Sequence, residues 1–254
     1  MPGKFKTLLE ILSIMLRISR TSKRSDGTES TLTKGRRRHK AVCDPLNEIE
    51  QMHGSLEDFE RLILENESTI GIILGARGKG KSAIGMRILE NVQASIERRC
   101  VAMGFDPTEM PKWLTVVQEI QDLPNDSFVL IDEGGILFSS RNAMCKANKL
   151  LSELLLVARH KNLSILFITQ NSANLELNAI RQADYMLLKG SSLMQADFER
   201  KKISEIYKSV EDKFEEHKAI RGITYVYSDA YMGFVENSLP SFWNTKVSKA
   251  FRKR

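Results

Sequence analysis

"TIGIILGARGKGKS", residues 69–82, runs from apolar and β-branched residues into a loop of three glycines and closes on a Lys-Ser pair. The last eight residues, Gly75-Ala76-Arg77-Gly78-Lys79-Gly80-Lys81-Ser82, satisfy G-x-x-x-x-G-K-[ST]. Glycines at these places let successive backbone N–H groups point at phosphate oxygens, and a helix starting at Lys81 offers its positive end to the same anion. The motif predicts that the backbone from Gly75 through Arg77, Gly78, Lys79 and Gly80 cradles a nucleotide. Lys81 would reach the β and γ phosphates, and the Ser82 hydroxyl would join a Mg²⁺ shell. Arg77 is either a further phosphate contact within the loop or a solvated loop residue.

A triphosphate site also needs acids, and "SFVLIDEGG", residues 127–135, supplies them. Four apolar residues of a buried strand end in Asp132 and Glu133, where a strand leaves its sheet. Asp132 is assigned to Mg²⁺ and Glu133 to the attacking water, because an acid beside the metal ligand can orient and deprotonate that water. With the Glu present, hydrolysis of ATP is favoured over phosphoryl transfer to a metabolite. The third element is "LSILFITQN", residues 163–171, in which Gln170 follows another buried strand and its amide is suited to sense the γ-phosphate or hold the water.

Strand-length apolar runs occur at 69–74, 113–117, 127–132, 163–169 and 183–189, with helical segments at 81–98 and 145–160. Runs apolar on both faces imply central strands covered by helices on each side, which is a three-layer α/β fold with a largely parallel sheet. Upstream, "PLNEIEQMHGSLEDFERLILENES" reads as one or two lead-in helices with Ser55 as a cap. Downstream, residues 192–217 read as one long amphipathic helix, and "ITYVYSDAYMGFVE", residues 223–236, as a terminal β-hairpin.

The net charge of +6 is unevenly spread: residues 1–40 hold eleven Lys/Arg against three acidic residues, or +8, leaving −2 for the rest. Residues 1–41 divide into an amphipathic segment, "FKTLLEILSIMLRI" at 5–18, and a basic linker poor in apolar residues; residues 42–254 form the folded domain, ending in the basic "KVSKAFRKR". Such arms meet nucleic acid or anionic membrane surfaces. No run approaches the ~18 apolar residues of a membrane span. Cys43, Cys100 and Cys145 are odd in number and widely spaced, which suits reduced thiols in a cytoplasmic setting and gives no disulfide framework.

The glycine loop, "VLIDE" and "LLLVARHKNLSILFITQNSANLELNAIRQADYMLLK" together resemble the FtsK/HerA superfamily of P-loop ATPases. Within it, the chain is most similar to viral genome-packaging ATPases and to the Zot-like assembly ATPases of filamentous phages. The resemblance spans roughly residues 66–190. It implies a RecA/ASCE-like P-loop NTPase with sheet order 5-1-4-3-2, a homo-oligomeric ring of five or six subunits, ATP with Mg²⁺ as cofactors, and double-stranded DNA in the channel. It also implies an arginine finger from a neighbouring subunit, for which Arg159 is the first choice and Arg181 and Arg141 the next. Lys146, Lys149 and Lys161 are channel candidates. The activity implied is ATP-driven translocation of duplex DNA, foremost into a viral capsid. Alternatives are plasmid transfer, filamentous-phage export, or a nucleotide-switched assembly protein. The setting implied is the cytoplasm of a host cell, with capsid or membrane-associated assembly proteins as further partners.

Overall fold

The structure is a computed structural model that describes residues 39–134, 154–175, 177–191 and 199–248. The amphipathic segment 5–18 and the basic linker up to residue 38 lie outside the described residues, as do Arg141, Lys146 and Lys149. All described residues fall in one compact unit, Arg36–Arg254.

The strands are β1 (Asn47–Gly54), β2 (Ile70–Leu74), β3 (Cys100–Met103), β4 (Leu114–Val117), β5 (Phe128–Asp132), β6 (Ser164–Thr169), β7 (Tyr185–Leu188), β8 (Thr224–Ser228) and β9 (Tyr231–Glu236). They form one nine-stranded sheet of order β1-β9-β8-β7-β2-β6-β5-β3-β4. The pairs from β7 through β4 are parallel, and β8, β9 and β1 extend the sheet antiparallel. The helices are α1 (Leu56–Glu65), α2 (Lys81–Ile96), α3 (the helical residues 154–160), α4 (Leu177–Arg181), α5 (Lys201–Ser209), α6 (Glu211–Glu216) and α7 (Thr245–Ser248).

Alternation along each strand divides the core between two faces. Ile73, Leu130, Leu166 and Leu187 meet Phe59 of α1 and Ile84 and Leu89 of α2 on one face. Ile72, Leu74, Ile131 and Phe167 meet Leu154 and Ala158 of α3 and Ile203 and Ile206 of α5 on the other. This is the three-layer arrangement expected from strands apolar on both sides.

The five strands read in the sequence keep their relative order 5-1-4-3-2, but the sheet is larger. β3, "CVAM", lies between the third and second of them. Four buried residues after Arg98 and Arg99 carry too little pattern to distinguish a strand from a helix end. β1 corrects the expected lead-in helix: residues 47–54 pair with β9, with register shifts at Glu48/Glu50 and Gln51/His53, so sheet pairing overrides a helix-prone composition. Gly54 has φ 69°, and a Cβ there would sit 1.9 Å from the Ala230 carbonyl oxygen. That approach lets Ser55 N–H donate to Ala230 O at 3.1 Å while the Ser55 hydroxyl caps α1 by accepting from Asp58 N–H.

The long helix expected over 192–217 is two helices in its described part, broken at Val210, which has φ −125° and ψ 10°. Ser209 Oγ donates to Ile206 O at 2.8 Å and Val210 N–H to Tyr207 O at 3.2 Å, closing the first helix. The turn buries Val210 and brings Phe214 edge-on to Phe234 of β9, ring centroids 5.0 Å apart.

α2 also ties the two ends of the described chain together. Arg87 and Glu90 form a buried ion pair at 3.0 Å. Glu90 accepts from Val42 N–H and Ser241 N–H, and Arg87 donates to Val42 O and Leu239 O. Glu90→Gln leaves the buried guanidinium without its counter-charge, and we expect urea unfolding to show a loss of about 3 kcal/mol. A loss below ~1 kcal/mol would show that the pair behaves as a solvated one.

Candidate functional site

β2 emerges between β6 and β7: Leu74 faces Thr169 on one side and Leu188 on the other. The loop of residues 75–80 leaves from that position and α2 starts at Lys81. Gly75 has φ 150°, and a Cβ on it would lie 2.6 Å from Cβ of Lys189, so the loop can only pass that close to β7 without a side chain. Gly78 and Gly80 have φ 81° and 88° and open space where a side chain would be. Within the loop, Ala76 N–H donates to Gly190 O and Lys79 N–H to Ala76 O, each at 3.3 Å. Gly80 caps α2 with no side-chain hydrogen bond, and the first turn holds no acidic residue. The positive end of a sixteen-residue helix is thus available to an anion.

Lys81 is buried and donates to the carbonyls of Gly75 at 2.6 Å and Ala76 at 3.0 Å. Burial pulls its ammonium below the usual lysine value, and the Asp132 and Glu133 carboxylates oppose that shift. Ser82 Oγ donates to Asp132 Oδ2 at 2.9 Å, joining α2 to the end of β5 across fifty residues of sequence. Asp132 Oδ1 accepts from Gly134 N–H at 3.0 Å, and Glu133, also buried, follows directly.

The structure thus brings Lys81, Ser82, Asp132 and Glu133 to one edge of the sheet, the edge where parallel strands end. The glycine-rich loop and the helix start without a side-chain cap fit a polyphosphate. A hydroxyl paired with a carboxylate is the oxygen donor set that Mg²⁺ takes. Arg77 and Lys79 are exposed at the loop tip. Gln170 is exposed, immediately past the end of β6 on the same edge. Arg159 is exposed near the end of α3, shortly before β6 begins, and Arg181 ends α4 shortly before β7 begins. Both lie toward the strand-entry edge and are not brought to their own chain's glycine loop. Lys161 donates to Leu123 O at 2.9 Å, a structural contact beside its candidacy as a channel cation.

Two neighbours were not singled out by sequence reasoning. Thr169, the last residue of β6, donates to Glu133 Oε2 at 2.5 Å. Its only signal was its place before Gln170 in "FITQN". Lys189, following β7, is almost fully buried beneath Gly75, and its ammonium donates to Gly222 O, Ile223 O and Asn237 Oδ1 at 2.7, 3.2 and 3.1 Å. A cation closing the apolar run "YMLL" was its sequence mark.

The zonular occludens toxin (Zot) family matches residues 106–229. That segment begins after the glycine loop and holds Asp132, Glu133, Thr169 and Gln170, so the Zot-like resemblance read in the sequence is found there. No curated protein matches in sequence. Among solved structures, B204, the DNA-packaging ATPase from Sulfolobus Turreted Icosahedral Virus, is 16% identical with a TM-score of 0.47, covering 68% of this chain and 98% of B204. The N-terminal domain of zonular occludens toxin from Neisseria meningitidis is 16% identical with a TM-score of 0.38, covering 72% and 98%. ATPases 2 and 3 of Thermomonospora curvata EccC, in complex with a signal sequence peptide, are 11% identical with a TM-score of 0.42, covering 68% and 37%. These are likenesses only; the fold assignment rests on the strand order and the position of the loop.

Burial brings the Lys189 ammonium down to about 7. Between that value and the ordinary lysine value of about 10.4, the unfolded chain binds the extra proton. Lys189 therefore makes stability rise with pH through this window, and the contribution is least favourable below it. We expect the difference in urea midpoint between wild type and Lys189→Met to change between pH 6.5 and 9.5, wild type gaining relative to the variant. A difference independent of pH would contradict the shift.

Proposed function

We propose that this chain is an ATP-hydrolysing motor of the assembly and packaging kind, with duplex DNA as its cargo. The single observation that carries the reading is the Ser82–Asp132 hydrogen bond at 2.9 Å, which sets a phosphate loop and a carboxylate strand in contact with Glu133 at the next position. In this reading the loop N–H groups hold the phosphates, and Lys81 exchanges the carbonyls of Gly75 and Ala76 for the β and γ oxygens. Ser82 and Asp132 would hold Mg²⁺, which would neutralise charge on the phosphates. Glu133 takes a proton from the water that attacks the γ-phosphorus, and the bond to the bridging oxygen breaks to release ADP and phosphate. Gln170, at the end of the next strand, orients that water.

Arg159 is assigned to a neighbouring subunit's site. Its position toward the opposite edge supports a role in trans, where it would offset charge developing on the γ-phosphate. This makes a homo-oligomeric ring part of the proposal. DNA as cargo is supported by the basic residues 1–40, since a motor moving along any sequence grips phosphates and does not read base edges. We place its action in the cytoplasm, or at the periphery of a capsid or membrane. No helix among the described residues is long and apolar enough to cross a membrane.

The match to the Zot family favours a second reading within the same chemistry: particle assembly or export in place of genome packaging. A phosphate-release assay tests both. We expect Mg²⁺-dependent hydrolysis accelerated by duplex DNA, about a hundredfold lower in Glu133→Gln and absent in Lys81→Ala. Acceleration by DNA supports the DNA cargo. Hydrolysis indifferent to DNA turns the reading toward assembly or export, and hydrolysis unaffected by either substitution overturns the site.

A further inference from the structure

Thr169 occupies an unusual junction. It ends β6, is buried, and lies beside Leu74, the residue from which the glycine loop departs. Its Oγ1 is 2.5 Å from Glu133 Oε2 and 3.1 Å from Asn171 O, while Asn171 N–H donates back to it at 3.2 Å. A hydroxyl has one proton, and a carboxylate is the stronger acceptor, so the short contact is the one it makes. The Asn171 N–H occupies a lone pair of the same oxygen and limits how that oxygen can turn. Thr χ1 is stiff because its Cβ is branched.

The residues that hold Asn171 are themselves clasped from outside the sheet. Asn171 Oδ1 accepts from Ala173 N–H at 2.7 Å, opening a single turn over Ser172–Asn174. Ser172 N–H donates to the buried Glu199 at 2.8 Å, and its hydroxyl donates to the same carboxylate oxygen. Arg200 donates through its backbone N–H to Ser172 Oγ and through Nε to Ser172 O, each at 3.0 Å, and also reaches Leu175 O. The Thr169 hydroxyl is thus held by a strand end, a backbone N–H and a turn anchored to residues 199–200.

We propose that Thr169 is the positioning residue for Glu133: its hydroxyl, fixed by the Asn171 N–H and the clasped turn, sets the direction in which that carboxylate faces the phosphate edge of the sheet. This rests on the ATPase reading above and goes beyond it, since it assigns the aim of the general base to a neighbouring strand and not to the loop that carries Glu133. The role is one of orientation; Thr169 itself touches neither nucleotide nor water in this account.

The test separates kcat from binding. Thr169→Val keeps the shape and removes the hydroxyl. Its kcat for ATP is expected to fall about tenfold, with KM and the affinity for a non-hydrolysable ATP analogue within about twofold of wild type. Thr169→Ser, which restores a hydroxyl, should recover most of the loss. In a Glu133→Gln background, Thr169→Val should add little, because the group it positions has already been disabled. Equal losses in the two Thr169 variants, a rise in KM that accounts for the effect, or full additivity with Glu133→Gln would each overturn the proposal. Wild-type turnover keeps the two claims apart. If wild type releases no phosphate, the ATPase reading falls and this one with it; if wild type turns over and Thr169→Val matches it, only this one falls.

Discussion

Leu74 leaves the sheet with Thr169 at its side on β6 and Leu188 on β7, and every functional contact in this protein depends on that exit. Because β2 is flanked by parallel partners on both sides, its end has no freedom to move, and the loop that follows must fold over the sheet edge. β5 lies one strand further along, so Asp132 comes beside Ile168 and within reach of Ser82 on α2. The meeting of Lys81, Ser82, Asp132 and Glu133 is therefore a consequence of strand order. Residues 50 and 95 positions apart in sequence, Ser82 with Asp132 and Leu74 with Thr169, meet because parallel strands finish at one edge, where helix N-termini also begin.

Charged side chains taken partly or wholly out of water hold this arrangement. The half-buried Arg98 follows Glu97, which has φ 54°, and its guanidinium donates to Asn66 O, Glu67 O, Ser127 O and Asn162 O and to Ser164 Oγ, gathering the entry ends of β2, β5 and β6. The Arg87–Glu90 pair joins both flanks of the chain to α2. Lys189 sits under Gly75 with three neutral oxygen acceptors. The buried charges of Arg87, Glu90 and Lys189 would be more stable in water than in an apolar core, so their value lies in fixing geometry. Lys189 ties the loop's support to the C-terminal hairpin, since Gly222 and Ile223 precede β8 and Asn237 follows β9.

The parts legible in the sequence were those with a local mechanism. The glycine loop needs backbone angles that only glycine adopts freely, and "VLIDE" marks a buried strand by its unbroken apolar run. Ser55 was readable as a cap for the same reason, because capping is decided within four residues. What escaped was decided at long range. β1 carries a helix-prone composition and becomes a strand only because β9, nearly two hundred residues later, offers a partner edge. β3 is too short to show a period. Thr169 differs from any strand-end threonine only through its contact with Glu133, and no spacing rule joins residues 133 and 169.

Ser82 and Asp132 are proposed to form a metal-dependent phosphate site. It is tested most directly by calorimetric titration of the full chain with a non-hydrolysable ATP analogue, with and without Mg²⁺, in wild type and Asp132→Asn. Mg²⁺ should tighten binding by about tenfold in wild type, and the gain should disappear in the variant while metal-free affinity is retained. Binding in wild type that ignores Mg²⁺, or a variant that keeps the full gain, would contradict it.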